Sequence, residues 1–350
     1  MATILPSSKK AMDTAPSRSA RPDDLRVLAT LGVVLIHVTA PAVEAFGLLS
    51  PLNWSIAGGL GSIARPAVPL FFMLSGMLLI PKVQEPWVFL RRRTSRVLMP
   101  FLFWSLVYLM LQPSHEAQSF PARVLGSLVE GASYHLWFVN VLLGAYLALP
   151  IIGPWARSVG HTGLKYFLVI WGLALVLGSL KADQWFVRAE AGLFTGYLGY
   201  LVLGYYLSIL PVERLRWRWI GWSLLLAGTS LTFAGTAWLS HQQGTFCDDL
   251  FQYTTPNVAI GAVGLLMLLR ADLLPNLDRW PTARQVMTEC SYGVYLVHIL
   301  VLVVLGQIGL TWRTIHPLVG IPLTTSACFV LSVLIVRAIR MLPHGDKFVG

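Results

Sequence analysis

LRVLATLGVVLIHVTAPAVEA, residues 25–45, carries three ionisable side chains, Arg26, His37 and Glu44, in 21 residues that are otherwise apolar, small or hydroxyl-bearing. A helix of that length rises about 31 Å, enough to cross a hydrocarbon core of about 30 Å. The stretch therefore predicts a transmembrane helix. The rest of the chain repeats the pattern: 55% of its 350 residues are hydrophobic, about 192 side chains, and only 12% are charged. A soluble domain carries roughly 25% charged residues. At about 20 apolar residues per span, the composition predicts about ten spans joined by short loops. They are placed at about 25–45, 57–80, 98–112, 134–152, 163–180, 191–210, 219–240, 254–270, 288–310 and 318–338.

The expected fold is an all-α polytopic membrane protein. The apolar runs are continuous rather than alternating, which excludes an outer-membrane barrel. A soluble enzyme, a disordered chain and a disulfide scaffold are excluded by composition, and Cys247, Cys290 and Cys328 form no metal-ligand spacing. Residues 1–24 read as a mobile cytoplasmic tail, 25–340 as the membrane domain and 341–350 as a second tail.

The net charge of +10 would suggest nucleic acid in a soluble protein. Here its distribution explains it. Under the ten-span topology, 21 Lys and Arg fall on the side of the tails and four in the opposite loops, with Arg65 inside a span. Cytoplasmic loops carry the basic excess, so both termini are expected in the cytoplasm and residues 241–253, with Cys247, outside. Two further segments look structured. Residues 85–97, EPWVFLRRRTSRV, read as an interfacial helix opened by Pro86. Residues 119–131 read as a membrane-resting connector on the outer side.

Ionisable groups inside a span are costly and mark function. Arg26 and His37 are 11 residues apart, close to three turns, so they share a face about 16 Å apart along the axis. Glu44 lies near the same face at the outer end. The segment RPAVPLFFMLSG, residues 65–76, should break at Pro66 and Pro69. Arg65 either pairs with Glu44 or reaches the outer surface, and Ser75 and Gly76 allow close helix approach. SYHLWFVN, residues 133–140, sets His135 and Trp137 at the outer interface. SYGVYLVH, residues 291–298, sets Ser291 and His298 nearly on one face. Arg91, Arg92, Arg93 and Arg96 are the densest cation cluster. Pairs three or four apart on a helix can face one ligand.

Together these fragments resemble the integral-membrane acyltransferase family 3, over roughly residues 24–340. The resemblance rests on five patterns in order: Arg26 and His37 ten residues apart between them; Phe71, Phe72, Ser75 and Gly76; Arg93 and Arg96; His135, Trp137 and Phe138; and Ser291, Tyr292, Tyr295 and His298. The resemblance implies acyl transfer from acyl-CoA, with acetyl-CoA the default donor, to a hydroxyl of an envelope or exported carbohydrate. It implies a multi-pass protein of the bacterial inner membrane, with membrane lipid as its surroundings and neither metal nor nucleic acid involved. His37 would be the general base or acyl relay and Arg26 essential beside it. Arg93 and Arg96, with Arg92 next to them, would hold the CoA phosphates. Glu44, Arg65, Ser75, His135, Trp137, Ser291, Tyr295 and His298 would line or support the acceptor side. Many relatives carry an added extracytoplasmic domain, and none is expected here. A transporter or flippase of a lipid-linked sugar is the competing class, since broken helices and buried charges suit it too.

Overall fold

The computed structural model describes residues 22–82, 85–111, 126, 132–181, 196–271 and 280–350. Among them there is no strand. The helices are α1 (Pro22–Glu44), α2 (Pro51–Ala64), α3 (Ala67–Leu79), α4 (Pro86–Leu111), α5 (Trp137–Ser158), α6 (Gly160–Ser179), α7 (Leu198–Ile209), α8 (Arg214–Gln243), α9 (Pro256–Arg270), α10 (Pro281–Gln307), α11 (Pro317–Arg340) and α12 (Asp346–Val349). The protein is an all-α polytopic membrane protein. Every predicted span coincides with a helix. Among the described residues, eight helical stretches are long and apolar enough to cross a membrane, with α2 and α3 together forming one of them. The other two predicted spans fall on α7, 12 residues, and α9, 15 residues. At 1.5 Å per residue these are about 18 and 22 Å long, short of a full crossing.

Local signals set the helix ends. Proline stands in the first turn of α2, α9, α10 and α11, where its missing N–H costs nothing. The expected break between α2 and α3 occurs at Arg65 and Pro66. The basic segment differs from expectation. It is not a separate interfacial helix but the start of α4, a single helix of 26 residues. The Glu85 carboxylate accepts from Val88 N at 2.8 Å and caps that helix, so one continuous rod carries the arginines into the bilayer. The connector predicted at 119–131 lies outside the described residues, apart from Gly126.

α1 runs through the middle of the bundle, packed against α2, α3, α10 and α11. α3 and α7 touch through their backbones. A Cβ on Gly76 would sit 1.9 Å from Leu201 O, and one on Gly204 would sit 2.0 Å from Met73 O. That is the small-residue contact expected of membrane helices, and it fixes the depth of the Ser75 turn.

The segment after α11 is not a loose tail. It folds back so that Val349 is fully buried, and Trp104 Nε1 of α4 donates to Phe348 O at 2.9 Å. Arg340 donates to the carbonyl oxygens of Glu289, at 2.9 Å, and Gly350. At the opposite end of the bundle, Lys181 pairs with Asp249 at 3.0 Å, which holds the exposed ammonium above its usual range.

Candidate active site

Two cavities meet inside the bundle. The first, about 360 Å³, opens at the end that carries the start of α1 and of α4. Arg26, Arg93 and Arg96 line it, with Thr288 and Glu289 of α10; Leu74, Leu78 and Leu142 make its interior apolar. Arg26 reaches it from the first turns of α1, where it also pairs with Asp23 at 3.7 Å. Neither Arg93 nor Arg96 forms an ion pair with a described residue. Arg92, expected beside them, is exposed one turn before Arg96 and does not line the cavity. Tyr292 Oη donates to Val97 O at 2.8 Å and ties α10 to the arginine-bearing turn of α4.

Ser75 and Ser291, expected to line or support the acceptor side, line this basic cavity. Each hydroxyl donates to the carbonyl one turn back, Phe71 O at 2.9 Å and Met287 O at 2.8 Å. Their protons are thereby committed to the helix, which leaves each oxygen only as an acceptor.

The second cavity is far smaller, about 20 Å³, and is lined by His37, His135, Trp137 and Tyr253 together with Val33, Ile36 and Val68. Phe71, Phe138 and Tyr295 line both cavities and so form the wall they share. Three histidines from three separate stretches gather there. The ring centroid of His37 lies 5.0 Å from that of His298 and 6.2 Å from that of His135; the last two are 5.1 Å apart. The rings do not converge on a metal position, and no group of three or more His, Cys, Asp or Glu does so among the described residues.

The three rings differ in access and in hydrogen bonding. His135 and His298 are buried, whereas His37 keeps partial exposure. His298 Nδ1 lies 2.7 Å from Tyr295 O and 3.2 Å from Val294 O. A carbonyl only accepts, so Nδ1 carries the hydrogen, and in neutral imidazole the lone pair is on Nε2. That Nε2 is buried and has no hydrogen-bond partner, as has His135 Nε2. His135 Nδ1 sits 3.0 Å from Ser133 Oγ. The Tyr295 hydroxyl donates to the carbonyl of His135 and thereby joins the turn before α5 to α10. No hydrogen bond from a described residue occupies the His37 ring.

Glu44 and Arg65 do not pair. Glu44 is exposed at the end of α1. Arg65, at the break in the second span, lies over the rings of Phe251, 4.5 Å, and Tyr253, 5.1 Å. Tyr253 in turn stacks on Trp137 at 5.7 Å. The cation is held by aromatic faces and not by the Glu44 carboxylate. Sequence reasoning missed Tyr253 and Phe251. They stand in a loop and a short 3₁₀ turn where no periodic pattern marks them. It also missed Phe138 as a wall residue, since an aromatic one position after Trp137 reads as ordinary packing.

These features define a polytopic membrane protein with a histidine cluster inside the bundle and a cation-lined cavity beside it. Residues 20–337 match the family described as acyltransferase domain, and the chain belongs to that family, acyltransferase family 3. It is a membrane acyltransferase, with acyl transfer to a hydroxyl as its general reaction. No curated protein and no solved structure matches the chain.

Proposed function

We propose that the protein takes an acyl group, acetyl in the first place, from acyl-CoA and transfers it to a hydroxyl of an envelope or exported carbohydrate at the bacterial inner membrane. The observation that carries this reading is the shared wall. A basic cavity suited to a phosphate-bearing donor and a histidine cavity suited to proton transfer abut at Phe71, Phe138 and Tyr295. Coenzyme A carries a diphosphate and a 3′-phosphate, and guanidinium forks match phosphate oxygens. Arg93 and Arg96 hold those phosphates, with Arg26 deeper on the same side.

His37 acts as general base. It takes the proton of the acceptor hydroxyl as that oxygen attacks the thioester carbonyl. The tetrahedral oxyanion collapses, the C–S bond breaks, and the CoA thiolate leaves with the proton that His37 returns. His298 is a positioning residue. Its Nε2 lone pair, fixed by the two carbonyls at Nδ1, accepts the N–H of His37 after a small ring rotation and keeps the other His37 nitrogen free as the base. Transport of a lipid-linked sugar would draw on the broken span at Arg65 and Pro66, but it has no use for a thioester.

The test supplies radiolabelled acetyl-CoA to membranes of the native cell, with CoA release followed in parallel. Label is expected in carbohydrate, with one CoA freed per acetyl transferred. CoA release at the level of membranes lacking the protein overturns the proposal. Orientation is tested separately. Cys247, Cys290 and Cys328 are all buried, so they give a silent background, and Thr245 is exposed. Thr245→Cys should react with a membrane-impermeant thiol reagent once the outer membrane is breached. Labelling only after inner-membrane lysis reverses the orientation.

A further inference from the structure

The histidine cavity and the basic cavity differ in size by more than tenfold, 20 against 360 Å³. A cavity of about 10–15 Å³ holds one water, so the space beside His37 admits one or two groups of that size. A methyl with its carbonyl at the wall meets this limit; a chain two methylenes longer does not. Val33 and Ile36 of α1 and Val68 of α3, each nearly fully buried, line the space and form its aliphatic floor. All three are β-branched residues on helices, where χ1 is held in one well. Val68 also sits in the first turn after the break, between Pro66 and Pro69. The floor therefore has little freedom to recede. None of these three side chains lines the basic cavity.

We infer that Val33, Ile36 and Val68 are the specificity-determining residues that restrict the transferred group to two carbons, excluding butyryl, succinyl and longer chains. The inference rests on the reading of the basic cavity as the acyl-CoA site. A longer acyl chain meets the floor before its carbonyl reaches the base, so discrimination appears in turnover. The apolar interior of the basic cavity can still hold such a chain unproductively. Discrimination per methylene in a fitted pocket is about 10–200-fold, so two methylenes give at least about 100-fold.

The experiment measures His37-dependent CoA release in native membranes with acetyl-CoA and butyryl-CoA, taking membranes that carry His37→Ala as the blank. For the wild type, kcat/KM is expected to favour acetyl by at least about 100-fold. Val68→Ala, and independently Val33→Ala, should bring the two substrates within about tenfold of each other by raising the butyryl rate. Val68→Leu, which fills the space, should lower the acetyl rate while acetyl-CoA still binds. A wild-type ratio below about ten, or a ratio that neither alanine variant narrows, overturns the assignment of the floor. The donor reading itself fails on a different result, the absence of His37-dependent release from either thioester.

Discussion

Replacing His37 with alanine is expected to lower acyl transfer by about 10²–10⁴-fold, the usual contribution of a positioned general base. The loss should fall on kcat, with acetyl-CoA affinity near wild type, because the Phe71, Phe138 and Tyr295 wall stands between the histidine cavity and the cavity lined by Arg26, Arg93 and Arg96. Size-exclusion behaviour in detergent and acetyl-CoA binding serve as folding controls. A variant that keeps more than about a tenth of the wild-type rate removes His37 as the base. His298→Ala gives a second reading of the same machinery. His298 is argued to act only through His37, so its loss should cost less, and the double variant should be no slower than His37→Ala alone. Residues that act as one unit are strongly non-additive. Losses that multiply instead would assign His298 an independent role. His298→Leu, an apolar side chain of comparable bulk with no lone pair to accept the His37 N–H, separates this role from packing, and the rate should fall as in the alanine variant. If the side chain merely fills space, the leucine variant retains the wild-type rate.

The second large effect is expected at the cations of the basic cavity. Arg93→Lys and Arg96→Lys keep the charge, and therefore the positive-inside signal, but lose the planar fork that grips two phosphate oxygens. A hydrogen bond to a charged group contributes about 1.5–3 kcal/mol, so each replacement should weaken acyl-CoA binding by about tenfold or more. Arg92→Lys should do less, since Arg92 does not line the cavity. Calorimetry with acetyl-CoA and with free CoA reads both values directly. Raising the salt from 0.05 to 0.5 M should weaken binding to the wild type as well, by screening the partly exposed charges. Wild-type affinity in both the Arg93 and Arg96 variants overturns the phosphate assignment. Arg26, which lines the same cavity, becomes the next candidate.

Much of the membrane architecture follows from local chemistry. Twenty apolar residues in a row have one stable arrangement in lipid, because each backbone N–H and C=O must find its partner within the segment. Hence each predicted span falls on a helix among the described residues, and the second one breaks at Arg65 and Pro66, with Pro69 in the first turn of α3. The same logic failed at 85–97. Four arginines near an interface suit a surface helix as well as the first turns of a span, and the choice depends on what packs against them. Tyr292 of α10, 195 residues away, is part of that choice. Lengths also escaped: α7 and α9 are shorter than the spans expected there, a feature without a compositional mark.

The site shows the same division. The spacing of Arg26 and His37 on one helix face is a property of the helix alone, and the structure keeps it, with one residue in each cavity. The gathering of His37, His135 and His298 within 6.2 Å of one another is not, because their helices are far apart in sequence and meet only through packing. That Ser75 and Ser291 line the basic cavity was hidden for the same reason, since depth in a span does not reveal which cavity a side chain enters. Arg65 found aromatic rings rather than Glu44 because the loop bearing Phe251 and Tyr253 folds over the break. The sequence by itself determined the membrane helices, the basic asymmetry and the candidate chemical groups, all of which depend on short-range hydrogen bonding and transfer from water to lipid. Only the tertiary structure decided which groups share a cavity, how large each cavity is and which nitrogen of His298 is free, because those depend on contacts between helices that no local pattern encodes.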